Sequence, residues 1–340
     1  MLLKIMMTRG LHSLIGRRSR VRCGVFALLF ISLTGSVLAA DWEPLPPLPE
    51  PNGGFVCGVA NGKVVVVGGT KWVGEQKIWL RAVHGFDPAA KQWAKLRDLS
   101  QPLAYGTALQ RGAAFAWLGG SDGQQPLKAF EVSEGSKTSV QLPQLPVSMV
   151  LAAGGDVAGK YLLVGGTDDA ANLAGLQRSV HEVAFVGSNW QVNKMADYPG
   201  KPFAVAASAV VGDKLFVFGG MNYDAVTQEP VNSVAAYVFS PARNTWRELK
   251  ALAVANRGLA ALVLDEQHIY LAGGYASDFT AAAVIYDVKS DSYRQAKSLP
   301  YAALVGLVKL EGFAYCLGGE DRKQARTDKV FRIPLAELLK

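Results

Sequence analysis

Histidine, cysteine and charge are all scarce in this sequence, and each scarcity excludes something. Only four histidines and three cysteines occur in 340 residues, and charged side chains make up 19%. Beyond residue 40 the histidines are His84, His181 and His268, and no two share a place in the repeat described below. That excludes the paired histidines, with tyrosine and a cross-linked cysteine, that a copper-radical centre requires. Zinc spacings, phosphate-binding glycine loops and serine-hydrolase elbows are also missing. No metal or cofactor is therefore expected. Acid is missing altogether from residues 1–40, which hold Lys4, Arg9, Arg17, Arg18, Arg20 and Arg22. Those six residues carry most of the formal net charge of +7; the rest of the chain has 29 basic against 28 acidic residues. No basic patch remains there to hold a polyphosphate, which excludes nucleic acid as a partner.

The basic stretch is followed by the apolar run Val25–Leu33 and the small-residue segment Val37-Leu38-Ala39. That order is the pattern of a secretory signal cleaved near Ala40. The run is too short to span a bilayer stably, so no membrane anchor is expected after cleavage. Residues 1–40 read as signal peptide, residues 41–340 as the mature domain, and the destination as periplasmic or secreted. Cys57 and Cys316 would meet oxidising conditions there; both fall in apolar strands, and two buried free thiols are expected rather than a bridge.

What the chain has in quantity is glycine, and its placement is periodic. A diglycine closes a short apolar run at Gly68-Gly69, Gly119-Gly120, Gly165-Gly166, Gly219-Gly220, Gly273-Gly274 and Gly318-Gly319. The intervals are 51, 46, 54, 54 and 45 residues, near the ~50 of kelch modules. Each diglycine follows a β-rich run such as Leu215–Phe218, a further apolar stretch lies upstream, and a third and fourth strand lie downstream. Trp93, Trp190, Trp246 and Tyr293 lead the fourth strands and read as wedges between units; the second repeat has no aromatic there. Six units of four strands describe an all-β, six-bladed kelch-type β-propeller. Asp41–Leu45 reads as a fourth strand without its first three, and Asp328–Ile333 as a third without its fourth. Pairing them closes the ring and removes its exposed edges. Leu335–Leu339 is expected to form a short terminal helix.

Strand direction then selects one face. The loop after each diglycine and the residues leading into each innermost strand share a rim, which gathers Glu320, Arg326, Asn52, Tyr105, Asn256, Arg257, Trp72, Asp168 and Tyr223. Five diglycines are followed by a neutral residue, namely Thr70, Ser121, Thr167, Met221 and Tyr275. The sixth is followed by Glu320, with Arg326 six residues on.

Gly318-Gly319-Glu320 with Arg326-Thr327-Asp328-Lys329-Val330-Phe331 resembles the active-site repeat of the bacterial N-acetylneuraminate epimerases, or sialic acid mutarotases. Gly53–Gly58 and Leu99–Gly106 are similar to two more segments of that family, and Leu215–Gly220 through Trp246 to a fourth. The order here is rotated, with the catalytic repeat last, as in a cyclically permuted branch. The resemblance implies a mutarotase acting on N-acetylneuraminate or a related sugar acid. In it Glu320 would shuttle the proton, and Arg326 would clamp the substrate carboxylate or act as electrostatic partner. Leu103 stands where the resemblance calls for arginine, and Lys201-Pro202-Phe203 where it calls for arginine and polar groups. Arg257 is then a candidate second cationic contact, with Tyr105, Asn52 and Trp72 as candidate sugar contacts. The alternative is a non-catalytic secreted kelch propeller that binds a glycan or a protein on the same face.

Overall fold

The computed structural model describes residues 41–127, 130–133, 149–186 and 189–340, with side chains of 130–133, 185, 186, 189 and 190 excepted. The signal expected at residues 1–40 and the Trp190 wedge lie outside what is described. Among the described residues nearly every regular element is a strand; the exceptions are a 3-10 turn at Leu173–Gly175 and the helix Leu335–Leu339. No described helix is long and apolar enough to cross a membrane.

Five antiparallel four-stranded blades are present. The first runs Val56–Ala60, Lys63–Val67, Ala82–Asp87, Gln92–Asp98, and the third, fourth and fifth repeats build theirs in the same order. Six four-stranded blades were expected, and among the described residues this is corrected to five. The second repeat gives a three-stranded sheet of Thr107–Arg111, Ala114–Leu118 and Phe130–Ser133. Its fourth-strand position falls on 134–148, outside the described residues, in the one repeat without a leading aromatic. The last blade is Leu304–Leu310, Phe313–Arg322 and Ala325–Pro334 with Glu43–Leu45 from the other end of the domain. The register Glu43↔Arg332 to Leu45↔Val330 closes it, and Arg332 Nε donates to the Glu43 carboxylate at 2.7 Å.

Each diglycine now has a physical reason. The N–H of its second glycine donates to a carbonyl of the next repeat: Gly69 to Leu103, Gly120 to Met149, Gly166 to Phe203, Gly220 to Asn256 and Gly274 to Ala303. Gly319 donates to Asn52 at 2.7 Å and completes the circle. A Cβ on the first glycine would strike that same carbonyl, at 2.1 Å for both Gly68 and Gly119. Both glycines also have positive φ, which a residue without Cβ adopts at least cost.

The wedges repeat one contact. Trp93 Nε1 donates to the Pro46 carbonyl, Trp246 Nε1 to that of Ala196 and Tyr293 Oη to that of Lys250, each in the preceding blade. Trp42 does the same at the closing strand, donating to Ser298 at 2.9 Å, and it is 8% exposed among Tyr270, Ile285 and Leu338. Truncation there removes the closure's largest apolar side chain. Trp42→Ala is expected to cost about 3–5 kcal/mol, read from the midpoint of chemical unfolding.

Cys57 and Cys316 are free, and burial pushes both thiols up to about 12, so neither presents a nucleophile at neutral pH. His181 is buried, and neither ring nitrogen has a partner among the described residues. Burial, then the Lys194 charge, holds its pKa below the usual histidine value; burial does the same to His84. Below the ordinary value of about 6.5 the unfolded chain takes up protons that these folded rings refuse. Stability should therefore fall as pH drops from 7 toward 5. His181→Leu should flatten that slope in melts taken at both values.

Candidate active site

The last blade departs from its fellows where the candidate chemistry lies. Its second and third strands run ten residues each and continue past the diglycine as a hairpin. Glu320 and Arg326 stand on facing strands just past the pair Gly319↔Thr327, where the register shifts before Arg322↔Ala325, so the six-residue spacing is that of a short hairpin. Arg326 Nη1 lies 3.0 Å from Glu320 Oε2. Leu304 pairs with Glu320 just as Gly53 pairs with Thr70, Ala104 with Ser121, Val150 with Thr167, Ala204 with Met221 and Arg257 with Tyr275. Glu320 is thus the structural equivalent of five uncharged residues.

Glu320 and Arg326 both line an axial cavity of about 280 Å³, just below the ~300–1,000 Å³ of small-ligand sites. The arginine side chain is only 5% exposed, whereas the glutamate retains 30%. Arg326 Nε donates to the Thr70 hydroxyl at 3.3 Å and Nη1 to the Ala325 carbonyl at 3.2 Å, while its stem lies against Gly53, where a Cβ would meet Cδ at 2.4 Å. The guanidinium is a fixed strut under the carboxylate. Tyr301 Oη donates to the Gly318 carbonyl at 2.8 Å and steadies the turn below Glu320.

A strained collar forms the rest of the wall. Gly54, Tyr105, Leu151, Val205 and Gly258 line the cavity with φ between 56° and 69°. Each N–H from Tyr105 to Gly258 donates to the carbonyl of the preceding member, Tyr105 to Gly54 at 2.7 Å for example. A left-handed conformation is an outlier for a β-branched residue such as Val205. Such strain persists only where neighbours over-determine it, typically at binding sites.

The remaining sequence candidates fall elsewhere. Asn52 is 4% exposed, gives Nδ2 to the Gly68 carbonyl at 2.8 Å, and its own carbonyl receives Gly319. It staples the ring instead of facing the cavity, and Asn256 repeats the bond to Gly273 at 3.0 Å. Arg257 donates to Asn232 Oδ1 at 2.9 Å and stacks on Tyr275 at 4.4 Å; it does not line the cavity. Trp72, Asp168 and Tyr223 do not line it either, and Tyr105 does. Sequence reasoning missed Leu151 and Val205, though their positions repeat that of Tyr105. A larger cavity of about 1050 Å³, sharing Gly106 and Ala152, opens at the far end of the same strands. There Ser208 is bonded to Gly154, Gln110 to Val59, and Asp156 to Arg111 and Gly159. Among the described residues no three His, Cys, Asp or Glu side chains gather to hold a metal.

Residues 205–252 match the Kelch motif. The chain is a Kelch-type propeller. It is 32% identical over 114 residues to the Caenorhabditis elegans spermatocyte protein spe-26, covering 33% of this chain and 20% of that protein. It is 25% identical over 231 residues to the N-acetylneuraminate epimerase of Yersinia pestis (strain Pestoides F), covering 56% of this chain and 57% of the enzyme. The chain thus spans well under two thirds of each relative's length. The solved structure of YjhT superposes with a TM-score of 0.66 over 75% of this chain and 87% of that one, at 16% identity. At that identity the likeness speaks to the fold alone.

Proposed function

We propose that this protein is a mutarotase of sugar acids, interconverting the anomers of N-acetylneuraminate or a close relative. One observation carries the reading: among the described residues one acid–arginine pair lines the axial cavity, and its glutamate sits where five equivalent positions carry uncharged residues. The similarity to N-acetylneuraminate epimerases supports a sugar acid as the substrate class.

Anomer exchange asks for little chemistry. The anomeric hydroxyl loses its proton to Glu320 as the bond from the anomeric carbon to the ring oxygen breaks, and the ring oxygen gains a proton. The open keto form rotates about one carbon–carbon bond and closes on its other face with the transfers reversed. A single carboxylate serves both directions, since the proton it takes is the proton it returns. Arg326 holds that carboxylate in one orientation and offsets the charge that moves through it. Apolar neighbours such as Phe55, Leu259 and Val305 keep bulk water from the transfer.

In the same reading residues 1–40 direct export to the periplasm or outside the cell. The three-stranded sheet of the second repeat counts as a sixth blade, and the repeat order is a circular permutation. The test is to dissolve one crystalline anomer of N-acetylneuraminate and follow equilibration by NMR with and without the protein. Acceleration supports the reading. Identical traces would turn it to the non-catalytic alternative, a propeller that binds a glycan or protein.

A further inference from the structure

Arg326 is poorly placed to grip a second carboxylate. Its side chain is 5% exposed, and Nη1 and Nε are committed to Glu320, Ala325 and Thr70. The hairpin of the first blade carries another cation close to the cavity wall.

Thr70–Val73 and Gln76–Trp79 form a separate two-stranded sheet in the register Thr70↔Trp79, Trp72↔Lys77. Alternation puts Thr70, Trp72, Lys77 and Trp79 on one face of that hairpin. Two of its members touch the site: Thr70 receives Arg326 Nε, and Trp79 meets the ring of Tyr105 edge-on at 5.5 Å. Lys77 Nζ lies against both rings, 5.0 Å from the Trp79 centroid and 4.7 Å from that of Tyr105. Tyr105 itself lines the cavity, its ring seated on Gly54, where a Cβ would come within 2.4 Å. Lys71, on the hairpin's other face, is paired with Glu50. Among the described residues Lys77 has no carboxylate partner. Lys77 does not itself line the cavity and reaches its wall through Tyr105, while the Glu320–Arg326 pair on that wall is neutral as a unit.

We propose that Lys77, held on the Trp79–Tyr105 platform, is the specificity-determining cation that receives the carboxylate of the bound sugar acid. The proposal rests on the sugar-acid reading of the cavity and divides the labour there. Glu320 with Arg326 acts at the anomeric centre, while Lys77 selects acids over neutral sugars. A cation over two aromatic faces is held in place without being neutralised, as an anion-reading group should be. Tyr105, seated on Gly54, in turn ties that platform to the cavity wall.

The test measures binding apart from turnover. The probes are the methyl glycoside of N-acetylneuraminate, whose ring cannot open, and the same glycoside as its carboxyl methyl ester, each titrated calorimetrically. Wild type should bind the acid more tightly than the ester, with the preference shrinking as salt rises. Lys77→Met keeps the stem on the rings but should weaken acid binding about 10- to 100-fold and leave the ester unchanged, and Lys77→Arg should restore the preference. Equal acid binding by Lys77→Met and wild type would overturn the proposal, as would a wild type that ignores the ester difference or binds neither probe. A wild type that shows the Lys77-dependent preference yet does not speed anomer exchange would sink the mutarotase and leave this assignment standing.

Discussion

Gly68→Ala is expected to destabilise the ring by more than about 3 kcal/mol, while Gly212→Ala costs only about 1–2 kcal/mol. Both glycines have nearly the same φ, +59° and +60°, so the conformational penalty of an added Cβ is shared. Their surroundings differ. At Gly212 nothing lies within 4 Å of the new atom, whereas at Gly68 the Leu103 carbonyl oxygen is 2.1 Å away. That oxygen accepts the Gly69 N–H at 2.7 Å, so any shift that relieves the clash also breaks a bond between repeats. Urea unfolding of both variants measures the difference. Equal losses would mean that the diglycines serve only the turn and not the seam.

Glu320→Gln is expected to lower the catalysed rate of anomer exchange by about 10²- to 10⁴-fold, the usual share of a positioned general acid–base. The amide has the same size and still accepts a hydrogen bond from Arg326, so the cavity keeps its shape. It cannot take and return a proton at neutral pH. Binding of the non-opening glycoside should barely change, because the loss falls on the transition state and not on the ground state. Unfolding should show a loss of about 1–3 kcal/mol, because Arg326 is only 5% exposed and loses its counter-charge while keeping a hydrogen bond to the amide. A variant that loses glycoside affinity in parallel with rate would show Glu320 to be a binding residue.

Much of this was legible before any coordinates, because a propeller repeats its solution and a repeat is visible as spacing. The diglycines marked the seams, and Asp41-Trp42-Glu43-Pro44-Leu45 read as a displaced fourth strand because it carries the wedge pattern. Glu320 and Arg326 were legible as a pair because six residues is the distance across a short hairpin. Three things were not. The second repeat lacks the aromatic that marks a fourth strand, and three of its strands are among the described residues where four were expected. Asn52 and Arg257 sit where a ligand-reading residue would, but their partners are Gly68 and Asn232, and hydrogen-bond partners between repeats leave no trace in one-dimensional spacing. The hairpin bearing Lys77 and Trp79 is an outgrowth that the four-strand template has no place for. Its aromatic platform forms only when Tyr105, from the next repeat, closes over it.

The most direct test is the exchange rate between the two anomers of N-acetylneuraminate at equilibrium, read by magnetisation transfer. Wild type, Glu320→Gln and no protein should be compared at one pH, with both proteins shown to be folded. Rapid exchange with wild type alone, and the glutamine variant close to the protein-free rate, is the predicted result. Exchange equally fast with both proteins, or no faster with wild type than without protein, would contradict it.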